Sequence, residues 1–189
     1  MMHIPNDDRV AILLSGPAER LVIDAFAYMA QDFPRLDGPG FERAAKRLSN
    51  RFPYDQSVVI LRGFAMLFTA MRAISQLPRI RAGKPRAGQS ELLLVALVAA
   101  AQAGDKGRAI EAAIALLDSG HVHDVVKAAR GLGCRLAENQ VVLPTISETT
   151  FQYVADYPAV VVPVAPKPYI EIVNDDLPKR PILRLLESA

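Results

Sequence analysis

The 189-residue chain carries 22 basic and 20 acidic side chains, a net charge of +2, and is 51% hydrophobic with 6% aromatics and no Trp. Such a length suits one domain with a self-sufficient core, and the near-balanced charge excludes a strong overall field for nucleic acid or an anionic membrane. The single cysteine, Cys134, excludes an intrachain disulfide and a cysteine-based zinc cluster, and points to a reducing compartment.

Met1 to Asp8 is a polar leader without the positive start or apolar core of a signal peptide. Arg9 to Ser15 is a short apolar run that its length leaves open between strand and helix. Ser15-Gly16-Pro17 starts a helix, with Pro17 in the first turn, where its missing N–H costs nothing. Leu21, Val22, Ala25, Phe26 and Met29 form its apolar stripe, and Phe33-Pro34 ends it. A second helix begins near Pro39. Phe41, Ala44, Ala45, Leu48 and Phe52 face inward, while Glu42, Arg43, Lys46, Arg47 and Asn50 face water. The third, from about Asp55 to Leu77, is apolar on almost every side, which predicts the buried hub of a bundle. Arg62, Thr69, Arg72 and Gln76 share its one polar face, open to water or to a partner.

A loop punctuated by Gly and Pro follows, carrying Arg79, Arg81, Lys84 and Arg86. Ser90 reads as the cap of a fourth, nearly all-apolar helix that runs to about Ala103, with Glu91 in its first turn. Gly104-Asp105 turns into a fifth helix with Ile110, Ala113, Ile114 and Leu117 inward, stopped by Asp118-Ser119-Gly120. A sixth runs from about Val122 to Leu132 and ends on Gly131 and Gly133. Beyond Leu136, β-branched runs at Val141–Leu143 and Ala159–Val164 and the alternating Tyr169–Val173 predict short strands. Pro163 confines its run to an edge strand or an extended arm, and a short terminal helix covers Ile182–Leu186. The apolar stretches at 58–74 and 92–101 fall short of the about 20 apolar residues that span a bilayer. Both therefore predict core helices, and the chain is expected in the cytoplasm, in contact with no membrane.

Gly83-Lys84-Pro85-Arg86-Ala87-Gly88-Gln89-Ser90 has the two glycines and the Ser of a phosphate loop, but Gln89 stands where a Lys must meet the phosphates. Pro85 removes one backbone N–H and no strand precedes the loop, so no nucleotide site is assigned. Its cations suit nucleic-acid phosphate or an acidic surface, although no aromatic is interleaved to stack a base and solvated loops are often basic. On a helix His121 and His123 point to different sides, and His121 with Asp124 lacks a third ligand, so no metal site is expected. Helices five and six have the length of a helix-turn-helix, with Gly120 in the turn and His123, Asp124, Lys127 and Arg130 outward. The acid Asp124, and His121 where such motifs bury an apolar side chain, weigh toward an ordinary packed pair. Cys134 lies beyond helix six with no third group for catalysis and reads as a small buried hydrophobe.

These features predict a mainly α fold. An orthogonal or irregular bundle of about six helices occupies 9–135, after a flexible leader, 1–8. A C-terminal extension, 136–189, of short β-strands and a proline-rich arm packs on the bundle or on a partner. No catalytic, cofactor-binding or metal residue is assigned and no cofactor is expected. The leading functional expectation is a non-enzymatic cytoplasmic interaction or assembly subunit, self-associating or bound to another protein. It rests on Val162, Val164, Tyr169, Ile170 and Ile172, which are too apolar to float freely, and on strand edges that invite another chain. The first alternative is a DNA-binding regulator using helices near 105–118 and 122–132 with Arg79, Arg81, Lys84 and Arg86. The second is a protein or enzyme that takes a small anionic ligand beside Arg62 and Arg72.

Overall fold

A computed structural model of the chain describes residues 16–32, 38–74, 78, 80, 82, 88–145 and 147–155. Six helices build the body: α1 (Pro17–Asp32), α2 (Pro39–Ser49), α3 (Tyr54–Arg72), α4 (Gln89–Ala103), α5 (Lys106–Leu117) and α6 (His123–Glu138). A short α7 (Glu148–Ala155) packs on them, and there is no strand among the described residues. The mainly helical expectation holds. The run at 9–15, the β-branched runs beyond 158 and the terminal helix at 182–186 lie outside the described residues.

Prolines stand at the first three helix starts, the first two as the sequence predicts. Pro17 and Pro39 open α1 and α2, and Pro53 stands just before α3. The join between α4 and α5 is equally local. Gly104 closes α4 in the left-handed region, at φ 79°, and the Asp105 N–H reaches back to the Ala100 carbonyl at 2.9 Å. The Asp105 carboxylate then accepts the Arg108 N–H at 3.0 Å and caps α5. Two residues thus end one helix and begin the next.

The centre of the bundle differs from the expected one. Every residue of α4 from Glu91 to Ala101 is buried, and so are Leu21 to Ala27 and Met29 of α1. α4 touches α1, α5, α6 and α7, while α1 rests on α2, α3 and α4. By contrast α3, expected as the hub, buries one face (Ile60, Phe64, Leu67, Phe68 and Met71) and leaves Val59 and Met66 exposed. Apolar composition all round a helix states how much surface it offers for burial, not how much its neighbours cover. Phe26 of α1 stacks on Phe68 of α3 with ring centroids 4.2 Å apart, joining the two halves of the core.

Four further expectations are corrected. α4 is capped at Gly88, with Glu91 reaching back to accept the Gly88 N–H at 2.9 Å, so Ser90 sits inside the helix. α6 passes through Gly131 and Gly133 to Glu138, because Gly133 is the place where α6 lies against the backbone of Gln102 in α4. Cys134, expected beyond α6 and buried, lies within it and is exposed. Finally, Val141 to Leu143 is extended without pairing to a strand. Val141 and Leu143 are buried and Val142 is 70% exposed, which is the alternation of a strand. The side-chain amide of Gln102 replaces the missing neighbour, donating to the Val141 carbonyl at 2.8 Å and accepting the Leu143 N–H at 2.8 Å.

Candidate functional site

Leu48 and Phe52 are buried near the corner that joins α2 to α3, and the two helices are in contact. The space between them is a groove of about 430 Å³. Phe41 and Ala45 of α2 and Val58, Leu61 and Ala65 of α3 form its apolar walls, Tyr54 stands at the corner end, and Lys46 and Arg62 supply its charges. Both helix periodicities produce this lining. Phe41, Ala45 and Ser49 step by four along α2, and Tyr54, Val58, Leu61 and Ala65 step by three or four along α3. Tyr54 to Ala65 spans roughly 16 Å of helix at 1.5 Å per residue.

The polar groups on the walls are committed to backbone. The Ser57 hydroxyl donates to the Phe52 carbonyl at 3.4 Å and the Ser49 hydroxyl to the Lys46 carbonyl at 3.2 Å. No histidine or carboxylate is among the described residues that line the groove. Of the remaining α2 cations, Arg47 pairs with Asp24 of α1 at 3.2 Å and Arg43 lies 5.8 Å from the Tyr28 ring centroid. Both hold α2 against α1 and leave Lys46 and Arg62 to define the groove's charge. Just outside it, Val59 and Met66 flank Arg62 along α3, with Met66 55% and Tyr54 77% exposed. Apolar groove, exposed Met and Tyr, and a central Arg are the side chains that protein interfaces favour.

The sequence places Arg62 and Arg72 on one polar face, and both are exposed, but Arg62 alone lines the groove. The loop cations Arg79, Arg81, Lys84 and Arg86 lie outside the described residues, although Ile80 between two of them is buried in the core. The tail positions Val162, Val164, Tyr169, Ile170 and Ile172 also lie outside them. In α6, His123, Asp124, Lys127 and Arg130 are all exposed, as expected of outward positions. His123, Lys127 and Arg130 come together with Lys106 around a second concavity. His121 is exposed as well, and among the described residues no three His, Cys, Asp or Glu side chains are grouped to hold a metal ion. No described helix is long and apolar enough to cross a membrane. What sequence reasoning missed is the groove itself. Its wall residues read as apolar positions of two helices, and the sequence pattern does not say which of them the neighbours leave uncovered. Comparison with protein-family models, with curated proteins and with solved structures finds no match to this chain.

Proposed function

We propose that the protein is a non-enzymatic interaction and assembly subunit whose α2–α3 groove receives an apolar segment flanked by acids, supplied by the C-terminal tail of a second copy. The observation that carries this reading is the groove: apolar walls, with Lys46 and Arg62 as its only charged residues among the described lining. A segment complementary to it must be apolar with carboxylates at its ends. The chain contains one: Tyr169-Ile170-Glu171-Ile172-Val173-Asn174-Asp175-Asp176-Leu177. Pro158, Pro163, Pro166 and Pro168 precede it, a composition that favours an extended spacer reaching outward over one folding back. Docking such a segment buries Tyr54 and the groove walls and brings Glu171, Asp175 or Asp176 to Arg62.

Charge reversal tests the pairing in the full-length chain. Light scattering is expected to show a dimer for the parent, and monomer for Arg62→Glu and for Val58→Asp. Combining Arg62→Glu with Asp175→Arg and Asp176→Arg should restore the dimer, because the pair is reversed and not merely removed. A parent that stays monomeric at high concentration would refute the reading, as would a dimer indifferent to all three changes.

A further inference from the structure

The second concavity, of about 300 Å³, lies where the C-terminal end of α4, the start of α5 and one face of α6 converge. Its floor is Ala101, Ala109 and Val126, and its rim carries Lys106, His123, Lys127 and Arg130. We propose that this bowl is a binding site for phosphoryl groups.

Three observations, each independent of the α2–α3 groove, support the assignment. First, His123, Lys127 and Arg130 step by four and three along α6, so one face of that helix aims all three at the same space. Lys106 meets them from α5 across the bowl. Second, no carboxylate of the described residues lines the bowl, and neither His123 nor any of the three cations has an ion-pair partner among them. The neighbouring acid Asp105 is committed to its helix: its side chain accepts the Arg108 N–H at 3.0 Å. Arg108 itself is bound to Glu111 and Glu148 and lies over the Phe151 ring, so it is not part of the rim. Third, Gly104 and Lys106 line the bowl at the start of α5. The Lys106 and Gly107 N–H groups belong to the first turn, which has no intrahelical acceptors, and they add the positive end of the helix to the same side.

Like charges gathered without counter-charges repel, and a bound anion relieves that repulsion. A single carboxylate would leave most of the cationic charge uncompensated. A phosphoryl group supplies two negative charges and several acceptor oxygens, which suits the Arg130 fork and the lysine ammonium groups together. The bowl's volume lies at the lower end of the range for small-molecule sites, so a free polyphosphate and one or two phosphates of a nucleic-acid backbone are the two sources of the same chemistry.

Titration calorimetry of the full-length protein at low salt, with pyrophosphate in one arm and a short DNA duplex in the other, separates those sources. Saturable binding of pyrophosphate at one site per chain, weakened at least tenfold in the Lys127→Ala/Arg130→Ala double variant, supports the site with a small ligand. Duplex binding that falls steeply with salt and is lost in the same variant supports it with a backbone ligand. Both replaced side chains are exposed, so the variant's circular dichroism and melting temperature should match the parent's. Failure of both ligands to bind, or binding that the double variant leaves unchanged, overturns the proposal.

Discussion

At the scale of single residues, Gln102 does the most with one side chain. Its Nε2 donates to the carbonyls of Gly133 and Val141, and its Oε1 accepts the Leu143 N–H. One amide therefore ties α4 to α6 and holds the 141–143 segment as a neighbouring strand would. Gln102→Ala takes this partner from the Val141 carbonyl and the Leu143 N–H at a half-buried position. We expect a loss of roughly 2–3 kcal/mol in urea unfolding. Protection of the Leu143 amide from hydrogen exchange should fall further than the global change explains, because its acceptor is gone. Sequence reading finds the β-branched run of Val141, Val142 and Leu143 and assigns it to a short strand; the alternation along it is one of burial. A pattern of period two reports which side chains are buried, and says nothing of what receives the backbone hydrogen bonds.

Helix positions and their ends were largely legible, because Pro17, Pro39, Pro53 and Gly104-Asp105 act through local geometry that needs no tertiary partner. Glycines inside α6 were not. Read alone, Gly131 and Gly133 look like a helix end; in the folded chain Gly133 is a point of contact. A Cβ built there would lie 3.0 Å from the Gln102 Cα and 3.1 Å from its N, and backbone cannot yield as a side chain can. Gly133→Ala should thus destabilise by about 1–3 kcal/mol by forcing α4 and α6 apart, even though alanine is the better helix former. Gly131→Ala meets only the Arg135 guanidinium, at 3.2 Å, and should stabilise by up to about 1 kcal/mol. The two variants, compared by chemical denaturation, give opposite signs if contact and not propensity decides. The same distinction explains the candidate site: most wall residues fall on helices that the sequence places, but which of them stay uncovered depends on how α2 and α3 pack.

On the scale of the whole molecule, residues from beyond α6 belong to the same core as α1 and α4. Val141, Leu143 and Phe151 are buried in one continuous cluster with them. Phe151 also carries the Arg108 guanidinium 4.5 Å from its ring centroid. Phe151→Ala should accordingly lower global stability by roughly 3–4 kcal/mol, shifting a single cooperative transition. If α7 were an appendage, the variant would instead leave the main transition in place and lose only the helical signal of 148–155. Far-ultraviolet circular dichroism together with hydrogen exchange on that segment distinguishes the two outcomes.

The burial of α4 from Glu91 to Ala101 has a consequence for how the chain is made. From Leu92 to Gly104 there is no charged side chain, and the surfaces that cover this stretch come both from α1, upstream, and from α5 and α6, downstream. A ribosome therefore delivers the stickiest part of the protein before half of its cover exists. During that interval the nascent segment can meet another copy of itself or a chaperone. The two-residue connection at Gly104-Asp105 shortens the exposure, since α5 is the next helix to emerge and can fold back at once.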